Sequence, residues 1–266
     1  MKKIESAANP HFKSLRQLVD SSRERRTLGL SVLDGVHLVQ AYEGGVGAPE
    51  QLWVSEKGLS NIEIKQIVKN TSSPQVLLLA DRLFDQLSQV ATPTGVIAVV
   101  KTPRSRPAPA DMSACVLLEG IQDPGNVGSI LRTAAAAGVR HVLLSKASVH
   151  AWSPRVLRAS MGAHFLLEIH EQEDLLAVAT AFKGKVVAAS SGVALPVYRC
   201  DLTGKVAMMF GNEGGGLSRS LRAAAHEEVS IPMPGPVESL NVAAAVAVCL
   251  FERVRQLSAA GTPRSA

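Results

Sequence analysis

The apolar positions of the first hundred residues follow two different periods. Residues at helical spacing come first: Phe12, Leu15, Leu18 and Val19. Short β-rich runs come next, namely LSVLDG, QLWVSE, PQVLLLA and GVIAVV. Helical spacing indicates an amphipathic helix, and runs of four to eight apolar or β-branched residues indicate strands. We therefore predict a compact α/β unit that ends near Lys101.

A different pattern begins at Cys115, where strongly apolar runs alternate with helical segments. The predicted strands are CVLLEG, HVLLSK, FLLEIH, KVVAAS, KVAMMFG and EEVSIPM. The predicted helices cover 129–137, a segment from Pro154, 175–182, a segment from Leu217, and 239–257. Strands that are apolar on both faces and joined by helices indicate a parallel sheet covered by helices. We expect a ligand site at the carboxyl ends of these strands.

The segment KTPRSRPAPADMSA separates the two halves and shows neither period. Its Pro, Ala, Ser and basic residues are typical of a linker, so we place the boundary near Arg106 and predict domains at 1–105 and 106–266. A chain of 266 residues with 46% hydrophobic content can form two cores. The formal net charge of +5 favours a polyanionic partner such as RNA or DNA.

Several classes of protein are disfavoured. Cys115, Cys200 and Cys249 lie far apart without a CxxC pair, which argues against zinc and disulfides and favours buried thiols in a reducing cytosol. The histidines, His164 among them, form no metal-spaced set, so we assign no metal. The most apolar stretch, 242–251, is shorter than the roughly 20 residues that span a bilayer, and no secretory signal is evident. We expect a cytoplasmic protein without a membrane segment.

The segment FGNEGGGLS lies between a predicted strand and a predicted helix. Its glycines allow positive φ angles and a close approach of the main chain to a ligand. A phosphate-binding P-loop needs Lys followed by Ser or Thr, whereas Gly216 is followed by Leu217 and Ser218. An NTP-dependent enzyme is therefore disfavoured, and a plain turn that caps a helix remains an alternative.

Two further polar loops fall at predicted strand ends. In DPGNVGSILRTAAAAG, Asn126 is a candidate helix cap, and Arg132 lies in an Ala-rich helix where its guanidinium must reach solvent, a carboxylate or a phosphate. In IPMPGPVESLNVAAAVAV, the prolines make the loop rigid and Glu238 or Ser239 is a candidate cap. The alanines that follow allow close helix packing, either in the core or at a subunit interface.

Together, NVGSILRTAAAAG, FGNEGGGLS and IPMPGPVESLNVAAA resemble the three ordered signature motifs of the SpoU family of RNA 2′-O-methyltransferases, within the SPOUT superfamily. SPRVLRASMGAHF resembles the intermediate segment of that family. NPHFKSLRQL and VLDGVHLVQA resemble its substrate-binding domain, which is similar to an RNA-binding ribosomal protein. Asp34 stands where the family usually has Glu, a change that keeps the acid beside the same glycine.

The resemblance implies a small α/β RNA-binding domain followed by a parallel-sheet domain with a C-terminal trefoil knot, acting as a homodimer. It also implies S-adenosylmethionine as the cofactor. The cofactor-binding residues that we transfer are Gly211, Glu213, Ile231, Met233 and Leu240. The transfer chemistry is assigned by the same resemblance to Arg132, with Asn126, Glu213, Ser239 and Asn241 around it.

A guanidinium is positively charged in proteins, so Arg132 is better suited to hold a ribose-phosphate and stabilise developing negative charge than to act as a base. For RNA binding we select basic side chains: Arg23, Arg25 and Arg26, followed by Arg155 and Arg158. A separate N-terminal domain favours ribosomal RNA over transfer RNA as the substrate, although such domains can bind either. The alternative is a non-catalytic dimeric RNA-binding protein.

Overall fold

The computed structural model describes residues 1–88, 93–103, 107–109 and 111–261. The chain forms two compact units, one of Met1–Arg104 with Trp152–Phe165 and one of Ser105–Ala151 with Leu166–Ala266. The predicted boundary near Arg106, and part of the predicted linker, lie outside the described residues. The first unit includes Trp152–Phe165, which the sequence prediction had assigned to the second domain.

A five-stranded mixed sheet forms the centre of the first unit. Its strands are β1 (Lys2–Ile4), β2 (Leu30–Asp34), β3 (Gln51–Ser55), β4 (Val76–Leu79) and β5 (Val96–Lys101), in the order β1-β4-β3-β5-β2. β4 is parallel to β1 and β3, whereas β5 is antiparallel to β2 and β3. The helices are α1 (Pro10–Asp20), α2 (Ser22–Leu28), α3 (Val36–Gly45), α4 (Ile62–Asn70) and α5 (Asp81–Leu87). The four predicted strands are confirmed; β1, of three residues, was not predicted.

The core of the first unit follows from the helical period of α1. Its predicted apolar residues are all buried and belong to the same hydrophobic cluster as Trp53 of β3. Asn9 caps the helix, because its side chain accepts a hydrogen bond from the N–H of His11, and Pro10 occupies the first turn. The predicted amphipathic helix is confirmed.

The second unit contains a six-stranded sheet, and every pairing in it is parallel. Its strands are β6 (Ala114–Leu118), β7 (His141–Ser145), β8 (Glu168–Glu173), β9 (Lys185–Ala189), β10 (Val206–Phe210) and β11 (Glu227–Val229), in the order β11-β9-β10-β6-β7-β8. The helices are α6 (Pro124–Ala136), α7 (Pro154–Ser160, within the first unit), α8 (Leu175–Ala181), α9 (Arg219–Ala223) and α10 (Val242–Ala259). The predicted α/β fold with a parallel sheet is confirmed.

Three local predictions for this part of the chain were wrong. FLLEIH is not a strand from its first residue, since Ala163–Leu166 forms a 3₁₀ turn and β8 begins at Glu168. Asn126 does not cap α6; the side chain of Asp123 does, at 2.8 Å from the Asn126 nitrogen. Neither of the two predicted residues caps α10, which is capped by the side chain of Asn241.

The cysteines are buried and free, as predicted. Burial raises the pKa of each thiol to about 12, so none is a thiolate at neutral pH. No helix within the described ranges is both long and apolar enough to cross a membrane. Within the same ranges, no group of three or more His, Cys, Asp or Glu side chains is placed to hold a metal ion.

Candidate active site

The glycine-rich loop that follows β10 folds back on itself. A Cβ atom at Gly211 would lie 2.0 Å from the carbonyl carbon of Gly216 and 2.2 Å from the nitrogen of Leu217, so only glycine fits there. Within the loop, Oδ1 of Asn212 accepts hydrogen bonds from the N–H groups of Gly214 (3.0 Å) and Gly215 (2.6 Å). Gly216 has a φ of +65°, in the left-handed region that favours glycine. The glycines therefore serve a specific backbone geometry.

This loop forms one wall of a cavity of about 380 Å³. The other walls come from the end of β9, from α9, and from the segment between β11 and α10. The residues predicted from the resemblance that line the cavity are Gly211, Glu213, Ile231, Met233, Ser239 and Leu240. The structure thus brings together side chains that are up to 29 positions apart in the sequence.

The prediction missed part of the cavity wall. Residues 189–191 lie at and directly after the end of β9, and Arg222 and Glu238 also line the cavity. The segment 189–191 could have been found from the rule that ligands bind at the carboxyl ends of parallel strands, because KVVAAS was a predicted strand. No comparable signal marked Arg222, which lies in a short helix beyond the glycine loop.

A chain of hydrogen bonds joins the three predicted motifs beside the cavity. Oδ1 of Asn241 accepts from the N–H of Ala243 (2.9 Å), so its Nδ2 is the donor to Oδ1 of Asn126 (2.9 Å). Nδ2 of Asn126 then donates to Oε1 of Glu213. A backbone donor fixes one end of the chain and a carboxylate acceptor fixes the other. Only a side chain that accepts and donates at the same time fits between them, which explains asparagine at position 126.

Arg132 is exposed on α6 and makes no hydrogen bond or ion pair with any residue that the structure describes. Its guanidinium is therefore available to an external anion. Asn241 and Ser239 are also exposed, and of these two only Ser239 lines the cavity. Asn126 reaches the cavity through Glu213, whereas no hydrogen bond within the described residues connects Arg132 to the cavity wall.

The basic residues chosen for RNA contact have different environments. Arg23 and Arg26 of α2 are exposed. Arg25 is only 4% exposed, and its Nη1 donates to the carbonyl oxygens of Leu18 (2.5 Å) and Val19 (2.9 Å). The prediction that Arg25 contacts RNA was wrong, because its guanidinium is used to satisfy carbonyl groups at the end of α1.

On α7, Arg155 is exposed, whereas Arg158 forms an ion pair of 2.8 Å with Asp34 at the end of β2. Burial raises the pKa of the Asp34 carboxyl, and the positive charge of Arg158 and a hydrogen bond from Ser88 oppose this rise. The pair joins residues 124 positions apart within the first unit, so no sequence pattern predicted it. A contact of Arg158 with RNA stays a prediction.

The cavity can hold a ligand with an apolar planar part and charged groups. The side chains of Ile231, Met233 and Leu240 are apolar, and the glycine loop brings main-chain polar groups to the surface. Glu213 and Glu238 supply negative charge, and Arg222, which is paired with Glu228 at 2.8 Å, supplies positive charge. Such a lining suits a nucleoside that carries both positive and negative groups.

Comparison with known proteins shows which family this chain resembles along its length. The model of the SpoU rRNA Methylase family matches residues 113–251. A Synechocystis protein named as an uncharacterized tRNA/rRNA methyltransferase is 33% identical over 265 residues, covering 98% of this chain and 96% of its own. The 23S rRNA (guanosine(2553)-2′-O)-methyltransferase RlmP of Bacillus subtilis is 28% identical over 94% of this chain and 98% of its own.

A crystal structure of an AdoMet-bound rRNA methyltransferase from Sinorhizobium meliloti superimposes with a TM-score of 0.82 at 26% identity, covering 96% of this chain and 98% of that one. The similarity therefore extends over both units and is not confined to the sheet that carries the cavity. The chain belongs to the SpoU rRNA methylase family.

Proposed function

We propose that this protein transfers a methyl group from S-adenosylmethionine to a ribose 2′-hydroxyl of ribosomal RNA. The observation that carries the proposal is the cavity at the carboxyl ends of β9 and β10, lined by residues that the family resemblance had selected beforehand. The named activity of the Bacillus relative is a 2′-O-methylation of 23S rRNA. The alternative of a non-catalytic RNA-binding protein is disfavoured by membership of a methylase family.

The cavity fits the cofactor in size and in chemistry. Its volume of about 380 Å³ lies in the range of small-molecule sites, roughly 300–1,000 Å³. Gly211 keeps the wall free of a side chain, Ile231 and Leu240 offer apolar surface for an adenine, and Glu213 offers negative charge to a cationic group. When bound, the cofactor supplies an electrophilic methyl group on a positively charged sulfur.

Arg132 is the residue to which we assign the RNA side of the reaction. Because its guanidinium is exposed and makes no hydrogen bond or ion pair with the described residues, it can hold the phosphate next to the target ribose. The same charge stabilises negative charge on the 2′-oxygen as the hydroxyl loses its proton to an RNA phosphate or to water. Correct alignment of that oxygen contributes further, since orientation alone can lower a barrier by several kcal/mol.

Asn126 and Asn241 act by holding Glu213 in place. Both amides are committed to the hydrogen-bond chain that ends on the Glu213 carboxylate. Their role in the proposal is therefore to keep the glycine loop closed against the start of α10. Ser239, exposed at the cavity, is placed to contact the ribose or the cofactor.

The finer architecture belongs to the same proposal. We assign the RNA-binding domain to 1–105 and the methyltransferase domain to 106–266, with the segment between β11 and α10 threaded as a trefoil knot. The knot is what the family resemblance implies, and the contact of Asn241 with Asn126 places the start of α10 beside α6. The homodimer that the family resemblance implies is part of the same proposal. We also propose a cytoplasmic location, where ribosomal RNA is found.

The test is methyl transfer from labelled S-adenosylmethionine to ribosomal RNA by the wild type and by Arg132→Ala. The variant should lose transfer by at least about 100-fold, the loss typical of removing one stabiliser of transition-state charge, while the affinity for S-adenosylhomocysteine stays unchanged. Arg140→Ala is the matched control, because Arg140 is an exposed arginine that follows α6 and pairs with Glu168. Equal incorporation by Arg132→Ala would refute the assignment.

The substrate class is tested in the same assay. Transfer to ribosomal RNA but not to transfer RNA is the expected result, and mass spectrometry of the labelled RNA should place the methyl group on a ribose. Methylation of transfer RNA alone would contradict the proposed substrate. Absence of cofactor binding and of transfer by the wild type would contradict the proposed function as a whole.

A further inference from the structure

Glu119, the residue directly after β6, holds both ends of the glycine loop. Its backbone N–H donates to the carbonyl oxygen of Phe210, at the start of the loop, over 2.9 Å. Its side-chain Oε2 accepts a hydrogen bond of 2.6 Å from the N–H of Ser218, at the end of the loop. Glu119 therefore contacts both ends of the glycine loop, which lies about 90 to 100 positions later in the sequence.

We propose that Glu119 is a positioning residue for cofactor binding, acting through the glycine loop. The inference rests on the proposed function, because it takes the neighbouring cavity to be the cofactor site. Glu119 does not itself line the cavity, whereas every residue of 210–217 does. Its effect on a ligand must therefore pass through the loop.

The loop needs such an anchor because of its composition. Gly211, Gly214, Gly215 and Gly216 have no side chains that could pack and fix their positions. Glycine also loses more backbone freedom on ordering than any other residue. Asn212 organises the interior of the loop through its own side chain, β10 fixes the start of the loop, and the end of the loop is held by the burial of Leu217 and by Glu119. The Glu119 carboxylate supplies that hold with a charge-assisted hydrogen bond.

The anchor itself stands on a rigid part of the sheet. β6 lies between β10 and β7, and all five of its residues are buried. Gly120, next to Glu119, has a φ of +66°, and its N–H donates to Oγ of Ser145 on β7 over 2.9 Å. These contacts set the direction of the chain after β6. If Ser218 moves, the loop has therefore moved relative to Glu119, while Glu119 itself stays in place.

The experiment compares Glu119→Ala with the wild type in titrations with S-adenosylhomocysteine and in initial-rate kinetics. We expect Kd and the KM for S-adenosylmethionine to rise about tenfold, the effect of losing one hydrogen bond to a charged group. The kcat at saturating cofactor should change less than about threefold, because bound cofactor restores the loop. Glu119→Gln keeps an acceptor oxygen and should recover most of the affinity.

Asp174→Ala is the matched control, since it also removes a carboxylate that accepts from a main-chain N–H, that of Ala177 at 3.1 Å. Asp174 does not line the cavity, so Kd should stay at the wild-type value. If Glu119→Ala does not fold, Glu119→Asp serves instead, because its shorter side chain withdraws the carboxylate from Ser218.

Three results would overturn the inference. The first is a Kd for Glu119→Ala within twofold of the wild-type Kd, or the same result for Glu119→Asp if the alanine variant does not fold. The second is a Glu119→Gln variant that binds as weakly as the alanine variant, and the third is an equal loss of affinity in Asp174→Ala. Failure of the wild type to bind S-adenosylhomocysteine would instead contradict the proposed function. The two kinds of failure are therefore distinguishable in one set of titrations.

Discussion

The hydrogen bonds of Asn126 require a donor on the side of Glu213 and an acceptor on the side of Asn241. A substitution that exchanges the donor for an acceptor tests this requirement, whereas truncation to alanine would not. In Asn126→Asp, the oxygen that accepts from Asn241 is kept, but the Nδ2 donor facing Glu213 becomes a second carboxylate oxygen. The volume of the side chain hardly changes. The substitution therefore replaces the hydrogen bond between positions 126 and 213 by a repulsion between like charges, and it leaves the hydrogen bond from Asn241 intact.

The size of the effect follows from the exposure of the pair. A hydrogen bond to a charged group contributes about 1.5–3 kcal/mol when it is buried and less in water. Two like charges about 4 Å apart repel by about 1 kcal/mol in a water-like medium and about 4 kcal/mol at an effective dielectric constant of 20. Because Glu213 is exposed, the lower values apply. A total of about 2 kcal/mol corresponds to roughly a 30-fold loss of cofactor affinity.

The assay is a double-mutant cycle on the Kd for S-adenosylhomocysteine, with Asn126→Asp, Glu213→Gln and the double variant. In the double variant the new amide at position 213 can donate to the new carboxylate at position 126, so its loss of affinity should be smaller than the sum of the two single losses, although the charge of Glu213 is still missing. Asn70→Asp, on the exposed end of α4, controls for the added negative charge. The defect of Asn126→Asp should also be smaller at about pH 5 than at about pH 8, since two adjacent carboxylates raise the pKa of one of them and a shared proton restores a donor.

Additive losses in the double variant would refute the reasoning, because the two side chains would then not interact. A defect of Asn126→Asp that is the same at both pH values would argue against like-charge repulsion. Asn126→Asp with wild-type affinity would show that the contact between Asn126 and Glu213 has no part in closing the loop.

Three further predictions concern other parts of the molecule. Gly211→Ala should abolish binding of S-adenosylhomocysteine in titrations, because its Cβ would overlap the main chain of its own loop, whereas Gly204→Ala, with no atom within 4 Å, should bind normally. Burial and the nearby His170 lower the pKa of His141 in the folded protein from its ordinary value of 6.5. The stability that the neutral imidazole contributes is therefore complete above pH 6.5 and is lost as the pH falls towards the pKa of the folded state. The melting temperature of His141→Asn should fall less between pH 7 and pH 5 than that of the wild type. Arg23→Glu with Arg26→Glu should weaken RNA binding and flatten its salt dependence, and an unchanged affinity across a salt series would contradict this.

Much of the secondary structure could be predicted because it depends on local periodicity. The apolar runs at β6, β7, β9 and β10 are long enough to specify buried strands whatever their partners. β8 was misplaced because its register is set by pairing with β7, in which Glu168 lies opposite His141. β1 was missed because three residues carry no usable period, and its position depends on β4, more than 70 residues away.

The candidate site was predictable only through motifs that belong to a known family. Glycine, asparagine and arginine at particular positions resemble those motifs, but the cap positions show how one side chain can be assigned the wrong partner. Asn126 resembles a helix cap in sequence, yet Asp123 caps α6 and the Asn126 amide is used by Glu213, 87 positions later. Arg25 likewise resembles a surface charge, while its guanidinium is buried against main-chain carbonyls.

The sequence by itself determined the elements that short-range physics specifies: buried parallel strands, an amphipathic first helix, and a glycine-rich loop between a strand and a helix. Tertiary structure decided which groups meet. The cavity wall at 189–191, the chain from Asn241 to Glu213, and the closure of the glycine loop by Glu119 all join positions far apart in the sequence. Hydrogen bonds and close packing act over a few ångströms in space, and only the folded sheet brings these groups within that distance.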